Sequence, residues 1–388
     1  MASSVITFAD LGKRGNLKTA NILPFIALLA QKGELTQVIC RINKEFSFKN
    51  TFGAIPILLH YSIYLLGRIP FFRIDARLVE EDIFDSRAAK KLQKTDIAFF
   101  HYDYLAPKTM RVAKERGMIT VGLAVTAHLA HNARLEREEL VRLGILGVEG
   151  LHYHKRLERL HRGEAPDYLI AQSEFVKETY VREGFPRERI FVAPVDVDME
   201  RFHPAETPYK GPFTVVYVAQ TTILKGLQYL LEAWSEVSIP NAHLIIAGGY
   251  SDMPVPLSQR YDEMIRNDTS IEYIPFAKSP EELYRRSSVM VFPSLTEGFG
   301  RVTLEAMACG VPAVTTENAM GIVEDGVSGF VVPIRDPKAL KEKIEYFFKN
   351  EDARARMGIA AREAALRKPS FAQSAWSIYE RVRVQENK

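Results

Sequence analysis

Residues 291–310, VFPSLTEGFGRVTLEAMACG, constrain the fold of this chain more than any other stretch. A short apolar run passes through Thr-Glu-Gly-Phe-Gly into a segment whose Val302, Leu304, Ala306, Met307 and Ala308 suit a buried helix that ends at Gly310. The order is strand, glycine turn, helix. Gly298 and Gly300 let the backbone approach a ligand closely, and a helix that starts near Arg301 directs its unpaired amides into the turn. Such a place favours phosphate. Glu297 in the turn and Glu305 a little over one turn into the helix can face one ligand, because helical side chains lean toward the N-terminus. A carboxylate pair binds phosphate poorly but accepts well from sugar hydroxyls. The local reading is a diphosphate held by amides and flanked by sugar-like groups; the competing one is a glycine-rich turn whose acids are merely solvated.

Composition excludes several classes of function. A chain of 388 residues with 47% hydrophobic residues can bury ample core and favours two or three domains over one. The 51 basic residues nearly balance the 48 acidic ones, and no basic stripe with interleaved aromatics is present, so nucleic acid is a poor partner. Cys40 and Cys309 stand in apolar surroundings and read as core residues of a reduced compartment, which makes the expected localisation cytoplasmic. The opening MASSVITFAD lacks the basic and apolar regions of a secretory signal. Residues 52–72 form the most apolar stretch, but Pro56, His60, Arg68 and Pro70 interrupt it and it should not span a membrane. Two readings of Ile57, Leu58, Leu59, Ile63, Tyr64, Leu65 and Leu66 stand: a core helix, or a peripheral bilayer-facing patch flanked by Lys49, Arg68 and Arg73.

The first half alternates strand and helix. Residues 5–9 form a strand that leads through Asp10-Leu11-Gly12-Lys13-Arg14-Gly15-Asn16 into an apolar-periodic helix over residues 19–32. Residues 38–42, 97–100 and 119–123 are the next strands, and the alternation argues for a parallel sheet with ligands at its carboxyl edge. His101 and His128 stand just past two such strand ends, where histidine can both donate to and accept from hydroxyls or phosphate; a satisfied structural histidine is the alternative for each. His128, His131, His152 and His154 also invite a zinc reading, which no cysteine or carboxylate spacing supports.

The second half repeats the pattern. A polar, proline-bearing linker at 204–212 places a boundary near residue 208, and residues 213–218 begin a new strand. The strand leads through Ala219-Gln220-Thr221-Thr222-Ile223-Leu224-Lys225-Gly226 into a helix over 227–237. Strands at 243–247 and 271–276 come next, then the 291–310 stretch, an amphipathic helix over 338–348 and a last helix over 371–384.

Taken together these motifs resemble the retaining nucleotide-sugar glycosyltransferases of the GT-B fold, family 4 type. Glu297 and Glu305 match the E-x7-E signature, and Gly310-Val311-Pro312 with Gly326, Gly329-Phe330-Val331-Val332-Pro333 match the family's next strand and turn. Asp167, Ser173, Gly184, Pro194, Val197, Asp198, Phe202 and Pro204 match a second passage, in which Asp196 stands for the family's glycine. The resulting Asp196-Val197-Asp198 looks like a metal-binding D-x-D, but it lies in the slot of a different motif. Lys225 and Gly226 match the end of G-R-x-x-x-x-K-G, whose glycine and arginine are Ala219 and Gln220 here. The resemblance is strong over the second half and covers the first half from about residue 97.

The resemblance implies two Rossmann-like α/β domains facing each other across a cleft: an acceptor-side domain over 1–207, a donor-binding domain over 208–370, and a final helix over 371–388 that packs back on the first domain. It implies transfer of a sugar from a nucleotide-diphosphate sugar to an acceptor hydroxyl with retention, in polysaccharide or glycolipid synthesis, without a metal or other cofactor. Lys225, the amides of Gly298, Phe299, Gly300 and Arg301, and the Arg301 side chain would stabilise the departing diphosphate. Glu297 would orient the donor sugar, Glu305 would hold the ribose, and His128 would contact sugar or acceptor. Gly15, with the basic pair Lys13 and Arg14 beside it, would approach the ligands, Phe276 would line the base pocket, and Gln220 would bond a phosphate oxygen without the bidentate charge of an arginine. A carbohydrate or lipid-linked acceptor and peripheral membrane contact are the expected partners. A sugar phosphorylase, an epimerase-hydrolase and a non-catalytic nucleotide-sugar-binding paralogue are the alternatives on the same fold.

Overall fold

The computed structural model describes residues 2–12, 22–44, 48, 50–67, 76–102, 105–145, 157, 164–207, 209–251 and 253–386. Lys13, Arg14, Gly15, Lys49, Arg68, Arg73, His152 and His154 lie outside the described residues. The chain divides into two compact units, the first made of Met1–Ala130, Tyr153–Asp196 and Pro369–Lys388, the second of His131–His152 and Val197–Lys368.

The first unit holds a seven-stranded sheet in the order β3-β2-β1-β4-β5-β6-β7, with β1 Ser3–Gly12, β2 Leu35–Lys44, β3 Thr51–Gly53, β4 Ile97–His101, β5 Ile119–Ala124, β6 Tyr168–Ala171 and β7 Ile190–Val192. Every strand pair is parallel. Neighbouring residues of one strand enter different cores: Val5 and Phe99 join Phe25, Leu29 and Tyr379, while Ile6 and Phe100 join Ile39, Phe84 and Met110. Two buried faces explain why these strands read as continuous apolar runs. The edge strand β3 is three residues long and carries too little pattern to be seen in the sequence.

The last helix, Phe371–Glu386, packs against the Ile22–Gln31 helix through Phe371, Ala375, Ile378 and Tyr379, and its Tyr379 hydroxyl donates to Glu34 at 3.0 Å. The Asp196 carboxylate accepts from the Phe371 amide through both oxygens, at 3.0 and 2.9 Å, and so caps this helix. Asp198 accepts from the amides of Glu200 and Arg201. Both acids of the Asp196-Val197-Asp198 string thus serve the backbone.

The Ile57–Gly67 helix answers the question left open for residues 52–72 in two ways. Ile63 is buried and His60 bonds the buried Glu80, which also receives Arg41 at 3.1 Å; Leu58, Tyr61 and Leu65 are exposed. Only part of this apolar stretch is core. Among the described residues, no helix is long and apolar enough to cross a membrane.

The second unit holds a six-stranded parallel sheet in the order β10-β9-β8-β11-β12-β13, with β8 Thr214–Val218, β9 His243–Ala247, β10 Ile271–Ile274, β11 Val289–Phe292, β12 Ala313–Thr316 and β13 Gly329–Val332. The chain leaves β8 toward β9 on one side and, after β10, resumes at β11 on the other, so the order reverses between β8 and β11. In open parallel sheets ligands bind outside the carboxyl ends at such a reversal. A helix over Glu351–Arg367 comes after the expected Pro337–Lys349 helix. From it Arg362 donates to the Ala308 carbonyl at 2.6 Å, satisfying the C-terminal end of the Arg301–Ala308 helix.

Candidate donor site in the second unit

The glycine turn comes after β11 and the Lys225 loop after β8, so the two lie at the reversal point of the second sheet. Lys225 sits at the end of a short 3-10 turn, Ile223–Lys225, and Gly226 begins the Leu227–Ser235 helix with φ of 72°. A Cβ on Gly226 would stand 2.0 Å from the Pro293 carbonyl oxygen. Glycine is required because this loop crosses directly over the end of β11. Gly300 has φ of 82° and caps the Arg301–Ala308 helix, with the Thr303 amide bonded to its carbonyl at 2.9 Å.

Lys225 and Glu297 form an ion pair through Nζ and Oε1. The Ser294 hydroxyl, fully buried, has three acceptors within 3.1 Å: the carbonyls of Leu224 and Thr296 and Glu297 Oε1. The backbone before Glu297 is fixed by the Leu295 amide to the Leu224 carbonyl at 2.8 Å, by Thr316 Oγ1 to the Ser294 carbonyl at 2.5 Å and by Asn318 Nδ2 to the Leu295 carbonyl at 2.8 Å. The turn is therefore built as a rigid shelf for one carboxylate.

Glu305 is 6% exposed and accepts from the Tyr284 hydroxyl at 3.1 Å. Burial pushes its carboxyl up to about 7, against the opposing effects of the Tyr284 hydroxyl and the Arg301 and Arg201 charges. Desolvation outweighs two neighbouring cations here. Phe299 is buried, Gln220 is exposed beyond the end of β8, and Phe276, just past β10, is 76% exposed.

Lys225, Gln220, Glu297, Gly298, Phe299, Gly300, Arg301, Glu305 and Phe276 all belong to the carboxyl side of the second sheet. His128 belongs to the first unit, where its Nδ1 accepts from the Ala130 amide at 3.2 Å, its own amide donates to Thr179 Oγ1 at 3.0 Å and its ring meets Tyr180 edge-on. His101 is also in the first unit, buried, with Nδ1 2.8 Å from the Thr7 hydroxyl. Ser294, Thr296, Asn132 and Tyr284 escape a sequence reading. The first two lie inside the recognised stretch without a motif slot of their own, and the others reach it across many residues of chain. Among the described residues, no three His, Cys, Asp or Glu side chains are grouped to hold a metal ion.

These features define a GT-B glycosyltransferase fold, with two parallel α/β units and a glycine turn between two acids at the reversal point of the second. Residues 198–364 match the family described as glycosyl transferases group 1. The chain is 29% identical over 229 residues to a D-inositol 3-phosphate glycosyltransferase of Xylanimonas cellulosilytica, covering 52% of this chain and 54% of the other. It is 31% identical over 150 residues to the capsular polysaccharide biosynthesis glycosyltransferase CapM of Staphylococcus aureus, covering 38% and 39%. The chain spans about half the length of the curated relatives it matches. Among solved structures, HepE of Anabaena in complex with UDP-glucose superposes with a TM-score of 0.70 at 15% identity, over 98% of this chain and 99% of that one. The sucrose-phosphate synthase of Thermosynechococcus elongatus does so with 0.70 at 17% identity, over 99% and 100%.

Proposed function

We propose that this protein transfers a sugar from a nucleotide-diphosphate sugar to an acceptor hydroxyl, with retention at the anomeric carbon, in the synthesis of a polysaccharide or glycolipid. The observation that carries the reading is the Lys225–Glu297 ion pair beside the N-terminus of the Arg301–Ala308 helix, at the reversal point of the second sheet.

In this reading the diphosphate binds at the helix N-terminus and takes over Lys225 from Glu297. The released carboxylate accepts from a hydroxyl of the donor sugar, so one ion pair exchanges for two ligand contacts. As the sugar–phosphate bond breaks, charge grows on the phosphate oxygens, where Lys225, the first-turn amides and Arg301 oppose it. The departing phosphate oxygen takes the acceptor's proton on the same face, which accounts for retention without a strong protein base. Buried Glu305, ionised when the site is occupied, accepts from the ribose hydroxyls, and His128 contacts the sugar or the acceptor. Relatives named for D-inositol 3-phosphate and capsular polysaccharide support an acceptor rich in hydroxyls.

The test is release of nucleoside diphosphate from a panel of UDP-, GDP- and ADP-sugars, with the anomeric configuration of the product read by NMR. Release of free sugar alone would favour the hydrolase alternative, and strict dependence on inorganic phosphate the phosphorylase.

A further inference from the structure

The His131–Arg142 part of the Leu129–Arg142 helix belongs to the second unit although it lies about 70 residues ahead of the second sheet in sequence. Asn132, Leu135, Glu136, Glu139 and Leu140 are buried, which is the i, i+3, i+4, i+7, i+8 stripe of a helix with one face in a core. Two polar side chains on this stripe stand two turns apart. Glu139, fully buried, accepts from the Tyr229 hydroxyl at 2.7 Å, from Gln228 Nε2 at 3.2 Å and from Arg335 Nε at 2.5 Å. Arg335 itself holds a left-handed backbone with φ of 63°, a conformation that a non-glycine residue keeps only when its surroundings fix it. Glu139 thereby locks the helix to the second unit.

Asn132, also fully buried, accepts through Oδ1 from Thr296 Oγ1 at 2.8 Å, across 164 residues of chain. Thr296 immediately precedes Glu297. The ties to Ser294 and Leu295 come from the end of β12 and the loop that follows it, and the Thr296 carbonyl is held by the Ser294 hydroxyl, whereas the tie to the Thr296 side chain comes from this separate helix. A buried hydroxyl that loses its acceptor must find another, and the turn would rotate to supply it.

We infer that Asn132 is a positioning residue that sets the orientation of Glu297 through the Thr296 hydroxyl. The inference rests on the proposed role of Glu297 toward the donor sugar. It makes the 131–142 helix part of the donor site's support, although no motif marks it.

Hydrogen exchange of a peptide spanning residues 294–300 and donor kinetics are measured in the full chain with Thr296→Val, Asn132→Ala, both together, and Thr296→Ser. Thr296→Val and Asn132→Ala should each raise exchange about tenfold and lower kcat about 10- to 100-fold with donor KM little changed. The double variant should be no worse than the more severe single one, and Thr296→Ser, which keeps the donor hydroxyl, should behave as the unaltered protein. Unchanged protection in both single variants, or effects that simply add, would overturn the inference. Failure of the proposed activity would show separately, as an unaltered protein that turns over no nucleotide sugar while the exchange pattern still follows Thr296 and Asn132.

Discussion

Lys225 and Glu297 are joined by an ion pair although 72 residues separate them and each sits on the loop after a different strand of the second sheet. Both side chains are mostly covered, at 25% and 13% exposure, so neither charge is fully screened by water. In the proposed function a diphosphate and Glu297 compete for this one ammonium. Lys225→Ala should lower turnover by about 10²- to 10³-fold, the usual loss for one group aimed at developing charge. Steady-state kinetics on the best donor checks this, and a variant within about threefold of the unaltered protein would remove Lys225 from the chemistry.

Gln220 stands exposed where an arginine is expected in the resembling family. A guanidinium there would add charge-assisted hydrogen bonds to a diphosphate, each contributing about 1.5–3 kcal/mol. Gln220→Arg should therefore tighten nucleoside diphosphate binding about tenfold or more by calorimetry. Unchanged affinity would mean that the end of β8 does not face the phosphates.

Glu305 gives a signed dependence on pH. Its carboxyl is raised from 4.5 to about 7 by burial, so between these values the folded second unit holds a proton that the unfolded chain has released. The stability it contributes is full below pH 4.5 and is lost as pH rises to about 7, amounting to about 3 kcal/mol. Glu305→Gln should flatten that decline. Denaturant titrations between about pH 5 and pH 8, followed by Trp234 fluorescence in a Trp376→Phe background, would show the same slope in both proteins if burial did not raise Glu305.

Gly226→Ala places a methyl group against the Pro293 carbonyl and keeps a left-handed φ. The combined clash and strain should destabilise the second unit by about 2–4 kcal/mol. Equal denaturation midpoints would show that the loop over β11 can shift at little cost.

Asp196→Ala removes the cap from the Phe371–Glu386 helix. A lost cap costs about 1 kcal/mol, so amide exchange in the first turns of that helix should quicken about fivefold while the second unit is unaffected. Equal exchange would assign Asp196 no structural role.

The inner strands of the sheets were legible in the sequence because they are buried on both faces and carry continuous apolar runs: β9 is found at 243–247 as expected, and β1, β4 and β5 within a few residues. The candidate donor site was legible because Glu297, the glycines and Glu305 lie within one short stretch. What could not be read was whatever depends on chain segments meeting from afar. No motif marks Asn132 or Glu139 until Thr296, Tyr229 and Arg335 are placed against them. The metal reading of Asp196 fell already on its motif slot, but its cap on the Phe371 amide, 175 residues later, left no mark in the sequence. The exposure of Leu58, Tyr61 and Leu65 likewise depends on which face of their helix Glu80 holds.

The most direct measurement of the central claim is nucleoside diphosphate release from the UDP-, GDP- and ADP-sugar panel by the unaltered protein and by Glu297→Ala, with circular dichroism confirming that the variant is folded. The account predicts release from at least one donor, reduced by about 10²-fold or more in the variant. Release at the same rate in both proteins, or from no donor at all, would contradict it.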